Sequence, residues 1–100
     1  MHDGVCFHCQ QAAEKYLKAL LQEQGTVIPR THSLHHLLGL LLPLNGDLKS
    51  LRRGLRMLTR FAVDVRYPEF NATKRQAVAA LRWAGRVRQK IRARLGLSAD

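Results

Sequence analysis

Cys6-Phe7-His8-Cys9 is the densest run of reactive side chains, two thiols three residues apart with an imidazole between them. His32, His35 and His36 follow further along. Zinc takes such ligands, and a set of two thiols and two imidazoles would satisfy it. The spacing argues otherwise. Both cysteines fall inside an amphipathic helical pattern instead of on the tight turn of a zinc knuckle, and the 22 residues between Cys9 and His32 match no standard finger. Small buried cysteines and histidines near a helix start account for the same residues, so no metal is expected. A cysteine nucleophile would need a base and an orienting group, and the spacing pairs neither thiol with any one histidine. Gly25, Gly39, Gly46 and Gly54 stand singly, so there is no glycine-rich phosphate loop, and no cofactor is expected.

Asp64-Val65-Arg66-Tyr67-Pro68-Glu69 carries a different chemistry. An arginine beside an aromatic ring suits a phosphate and a stacked base, the guanidinium supplying donors and the ring a face. Local structure offers plainer roles: a cation suits a helix C-terminus, and Tyr67 beside Pro68 serves as a packing wedge. Asp64 and Glu69 flank Arg66 as a charge balance, not as an acid–base pair.

The charge of the chain favours the phosphate. Lysine and arginine total 17 against 7 acidic residues, a formal net charge of +10. Residues 1–44 are neutral, with Lys15, Lys18 and Arg30 against Asp3, Glu14 and Glu23, so the whole excess falls in residues 45–100. Eleven of the 14 basic residues there are arginine, the side chain suited to bidentate phosphate contacts. The implied partner is polyanionic: RNA, a nucleotide or an acidic protein face. A pair of well-solvated helices is the alternative.

Helices must position these residues. One hundred residues, 46% of them apolar, suit a single domain with its own core. A first helix is expected from an N-cap at Asp3 to about Gln24, with Val5, Cys9, Ala13, Tyr16 or Leu17, and Leu20 inward and a Glu14–Lys18 pair on the other side. A short second helix starts at Thr31 or Ser33 and stops at Pro43. Asp47 is expected to cap a third helix whose Leu48, Leu51, Leu55, Leu58, Ala62 and Val65 step by 3 and 4, a seam against a neighbouring helix. Arg52, Arg53, Arg56 and Arg60 lie off that seam and face solvent or a ligand. Pro68 ends this helix. Thr73 caps a last helix to about Leu95, with Ala77, Ala80, Leu81, Ala84, Val87 and Ile91 inward and Gly96 as C-cap. The expected class is all-α, an antiparallel up-and-down bundle of about four helices. The apolar run Leu37–Leu44 is far too short for a bilayer span, the N-terminus reads as no signal peptide, and two cysteines cannot staple a fold, so a cytoplasmic protein is expected.

Three motifs resemble a known family. Gln10-Gln11-Ala12-Ala13-Glu14-Lys15-Tyr16-Leu17-Lys18-Ala19-Leu20 is similar to the Q-Q-A-x-E-K-x-x-K-A-L signature of HEPN (higher eukaryotes and prokaryotes nucleotide-binding) domains. Thr31-His32-Ser33-Leu34 resembles the T-H-x-L segment, and Arg66-Tyr67-Pro68 the R-Y-P at a helix end. The resemblance implies a helical bundle that dimerises and a minimal nucleotidyltransferase partner encoded nearby, often as a toxin–antitoxin pair. It also implies another helix before the Q-Q-A-x-E-K helix. Many relatives are metal-independent ribonucleases using R-x(4–6)-H. Here positions 71–73 after Arg66 are Asn, Ala and Thr, no histidine follows Arg66, and Arg30 and His32 are too close together.

The resulting expectation is a non-catalytic module that binds nucleotide or RNA phosphate. Arg66 would hold phosphate, Tyr67 would stack or donate a hydrogen bond, and Pro68 would fix the turn. Lys15, Lys18 and Arg60 would add positive charge, while Gln11, Glu14 and His32 would be structural. A homodimer is expected from the seam and from the apolar stripe that a missing helix would bare. A ribonuclease with His32 or His36 as a displaced acid–base group, and a purely structural dimer, are the alternatives.

Overall fold

In a computed structural model, which describes residues 2–64 and 72–97, with side chains through Phe61 in the third helix, the chain forms four α-helices. These are α1 (His2–Glu23), α2 (Leu34–Leu41), α3 (Arg52–Asp64) and α4 (Lys74–Arg94), with a 3₁₀ turn at Gly46–Leu51 leading into α3. No strand occurs among the described residues.

The stops and starts are local chemistry. Gly25, at φ +72°, lets the chain reverse after α1, with the Thr26 N–H donating to the Leu21 carbonyl (2.9 Å) and the Gly25 N–H to Gln22 (3.1 Å). Gly96, at φ +76°, repeats the pattern after α4, with Leu97 donating to Arg92 (2.8 Å) and Gly96 to Ala93 (3.1 Å). Both are left-handed turns that glycine enters without a Cβ penalty. Ser33 caps α2 by accepting from the His36 N–H. Thr73 caps α4 in a reciprocal box with Gln76, which satisfies two otherwise orphaned donors.

α1 packs against α2, α3 and α4, most extensively against α4. Of the twelve largest fully buried side chains, eleven are leucine and the other is Ile91. Leu48, Leu51, Leu55 and Leu58 of the expected seam are all buried, so that seam is used inside the protomer. Each such leucine contributes about 1.5–3 kcal/mol relative to an exposed one. Cys6, Cys9, Ala13, Leu17, Leu20 and Leu21 close the core from α1.

Four expectations are corrected. Asp3 does not cap α1, which begins at His2; its carboxylate instead accepts from the Ala72 backbone N–H. Asp47 lies within the 3₁₀ turn and pairs with Arg94. Leu81 is 58% exposed, because it lies about 85° from the centre of the inward stripe Ala77, Ala80, Val87, Ile91 of α4. Glu14 and Lys18 do pair, but Glu14 is buried. The seam positions Ala62 and Val65 lie outside the described side chains, as do Asp64, Arg66, Tyr67, Pro68 and Glu69. No described helix is long and apolar enough to cross a membrane.

Candidate functional site

The helical register of α1 puts Gln10, Glu14 and Lys18 one above another at four-residue spacing, on the edge of the core that meets the start of α2. Gln10 is fully buried and Glu14 is 7% exposed. A charge so placed is tolerable only when its oxygens are fully partnered, and here they are. Glu14 Oε1 accepts from Gln10 Nε2 (3.2 Å) and faces His32 Nδ1 at 3.0 Å, while Oε2 accepts from Lys18 Nζ at 2.9 Å. Gln10 Nε2 also donates to the His32 carbonyl (3.3 Å), and its own Oε1 accepts from Gln11 Nε2 (2.8 Å). Among the described residues, no buried side-chain polar atom is left without a partner.

The electrostatics follow from those partners. Burial pushes the Glu14 carboxyl upward, but hydrogen bonds from Lys18, His32 and Gln10, with the charge of Lys18, outweigh it and hold the group below its ordinary value. The carboxylate is therefore ionised and accepts only. The hydrogen it shares with His32 belongs to Nδ1. The His32 side chain is 63% exposed, so the network ties a surface imidazole to a buried anion. It also joins α1 to the segment leading into α2, 18 residues away in sequence.

The start of α2 is joined in turn to α3. The Leu34 N–H donates to Thr59 Oγ1 at 3.2 Å, and that hydroxyl donates to the Leu55 carbonyl at 2.9 Å. Arg56 lies one turn before Thr59. With Arg52 and Arg60 it forms a ridge at four-residue spacing, flanked by Arg53, and all four arginines are exposed, opposite the buried Leu55 and Leu58.

The remaining candidates fall in different places. Lys15 is exposed and lines a hollow of about 340 Å³ with Ala12, Tyr16 and Ala19. Lys18 is committed to Glu14 and only partly exposed. Gln11, Glu14 and His32 come together in the one network. Arg66, Tyr67 and Pro68 lie outside the described residues. His36 is exposed, engaged through its backbone N–H with Ser33, and has no carboxylate partner among the described residues. Cys6 and Cys9 are buried free thiols. Burial raises the pKa of both, helped at Cys6 by neighbouring Cys9 and Asp3, which suits packing and not nucleophilic attack. Among the described residues no group of three or more metal-ligating side chains converges. Gln10 is the participant that sequence reasoning left out of the site, although its four-residue offset from Glu14 was the available signal.

Comparison with known proteins agrees with this architecture. No curated protein and no solved structure matches the chain. The family model of the HEPN domain matches residues 1–94. With nearly its whole length matched, the chain belongs to the HEPN domain family.

Proposed function

We propose that this HEPN domain binds nucleotide or RNA through phosphate, does not cleave it, and works as a homodimer with a minimal nucleotidyltransferase partner of the toxin–antitoxin kind. The observation that carries the reading is the exposed arginine ridge of α3, set opposite the buried leucines in a chain of net charge +10. Guanidinium groups at successive turns of one helix follow a phosphodiester backbone, and counterion release makes such binding steep in salt. Arg66 and Tyr67 join the proposed site as phosphate holder and stacking or hydrogen-bonding ring, and Lys15 adds positive charge. Exposed Val78 and Leu81 on α4 offer apolar surface for a second protomer or the partner. Sedimentation equilibrium at micromolar concentration should return a dimer, and a monomer of 11.4 kDa would rule the homodimer out.

Titration of labelled RNA against variants at two salt concentrations tests the site. Arg66→Ala should lose about 1.5–3 kcal/mol of affinity, the size of a charged hydrogen bond. Arg53→Ala should lose less and mainly flatten the salt dependence. Arg66→Lys should restore only part, lacking the planar fork. Equal losses at Arg66 and Arg53 would reduce the site to diffuse electrostatics.

A second reading, a metal-independent ribonuclease with His32 as displaced acid–base group, is favoured by the carboxylate-held imidazole. RNA recovered intact after prolonged incubation rejects it.

A further inference from the structure

The geometry points to His32 as a ribose reader: its Nε2 accepts a hydrogen bond from the 2′-hydroxyl of an RNA strand whose phosphates lie along the α3 arginine ridge, so that the domain prefers RNA to DNA. This inference rests on the reading of the ridge as a phosphate-binding surface.

Three observations carry it. The first is the tautomer. Glu14 is an ionised acceptor 3.0 Å from Nδ1, so the proton of the neutral ring sits on Nδ1 and Nε2 is left as a bare acceptor. The second is fixation. Glu14 is buried and held by Gln10 and Lys18, and Gln10 also grips the His32 backbone carbonyl. The ring is therefore oriented from below, while its 63% exposed side chain meets solvent. The third is position. Two residues past His32, the Leu34 N–H is bonded to Thr59, one turn beyond Arg56 on the ridge. His32 is thus tied to the Arg56–Arg60 end of the basic surface.

An acceptor is the wrong group for phosphate, which itself only accepts. Among strongly basic neighbours, a fixed acceptor is suited to the donor that accompanies phosphates in RNA and is missing from DNA, the ribose 2′-hydroxyl. His35 and His36 are also exposed, but among the described residues the histidine paired with a carboxylate is His32.

The test compares three oligonucleotides of one sequence, single-stranded RNA, 2′-O-methyl RNA and DNA, by fluorescence anisotropy at about pH 8, where imidazoles are ordinarily neutral. The 2′-O-methyl strand keeps the RNA sugar geometry but has no 2′ donor. The full-length protein should bind RNA about three- to tenfold more tightly than either other strand, the range of one neutral hydrogen bond. His32→Ala should bring all three to parity. His32→Asn keeps an N–H for Glu14 but has nothing in the place of Nε2. It should also abolish the preference with its melting temperature preserved, and this removes misfolding as an explanation. Arg56→Ala should weaken all three strands alike. Equal affinity of the unmodified protein for the three strands would overturn the inference, as would a preference surviving in His32→Asn, or RNA cleavage that depends on His32. Salt-dependent binding of all three strands with no preference leaves the ridge reading standing and removes only the ribose reader. Absence of binding to any strand removes both.

Discussion

Adding one methyl group at Gly54 should destabilise the fold, although the same change in an ordinary helix interior is stabilising. Gly54 is a buried residue of α3 against which Trp83 of α4 is laid. A Cβ built there would stand 2.6 Å from Trp83 Cγ and closer still to Cδ2 and Cε3. Carbon atoms in contact are ordinarily about 3.5–4.0 Å apart, so the helices must separate or the indole must leave its seat. The indole is also held by Arg86, whose guanidinium lies over the ring 4.7 Å from its centroid, a cation–π contact. Overpacking typically costs about 1–3 kcal/mol, and an overlap this deep with a ring belongs at the upper end. Against it stands a helix-propensity gain of about 1 kcal/mol for alanine over glycine. The net loss for Gly54→Ala is therefore about 2 kcal/mol, or a melting temperature lower by about 8–16 °C in a domain of this size. Gly39→Ala and Gly85→Ala are internal controls, because nothing lies within 4 Å of a Cβ at either position. Both should stabilise by about 0.5–1 kcal/mol. Thermal denaturation followed by circular dichroism reads all three. A melting temperature for Gly54→Ala equal to or above that of the unmodified protein would refute the packing argument. So would failure of Trp83→Ala to remove most of the added loss in the double variant.

Two further predictions concern titration and reactivity. The Glu14 carboxyl is held below its ordinary value of about 4.5, so its contribution to stability is complete above that value and is lost as pH falls below it. Urea midpoints should therefore hold above about pH 5 and drop in more acid solution, and Glu14→Gln should show a lower plateau with a flatter acid limb; equal acid limbs would contradict the network. Cys6 and Cys9, buried and with raised pKa, should react with a thiol-specific dye only slowly in the native protein and rapidly in denaturant; fast native labelling of both would show that α1 is not packed as described.

Much of the architecture was legible because it is local. The 3–4 leucine spacing of residues 48–58, the Thr73 and Ser33 caps, and the glycines at 25 and 96 each encode their roles within one or two helical turns. What failed to show was tertiary. The Glu14–Lys18 pair looks like a surface ion pair because i,i+4 spacing is silent about depth. Only the fold reveals that a histidine 18 residues away and Gln10 complete a buried acceptor. Asp47 had the composition of a cap, yet the chain turns tightly there and its carboxylate meets Arg94, 47 residues on. The arginines off the leucine seam were legible as solvent-facing. The bond that joins the start of α2 to their helix, from the Leu34 N–H to Thr59, was not.

The measurement that bears most directly on the central claim is the salt dependence of RNA affinity for the unmodified protein. A short labelled single-stranded RNA is titrated between about 50 and 200 mM salt, and the RNA is recovered and examined for length. Phosphate contacts from the four α3 arginines and Arg66 predict a linear fall of log K with log salt, with slope about −3.5 for a single strand, and intact RNA throughout. Affinity independent of salt, or no saturable binding at the lowest salt, would contradict the account.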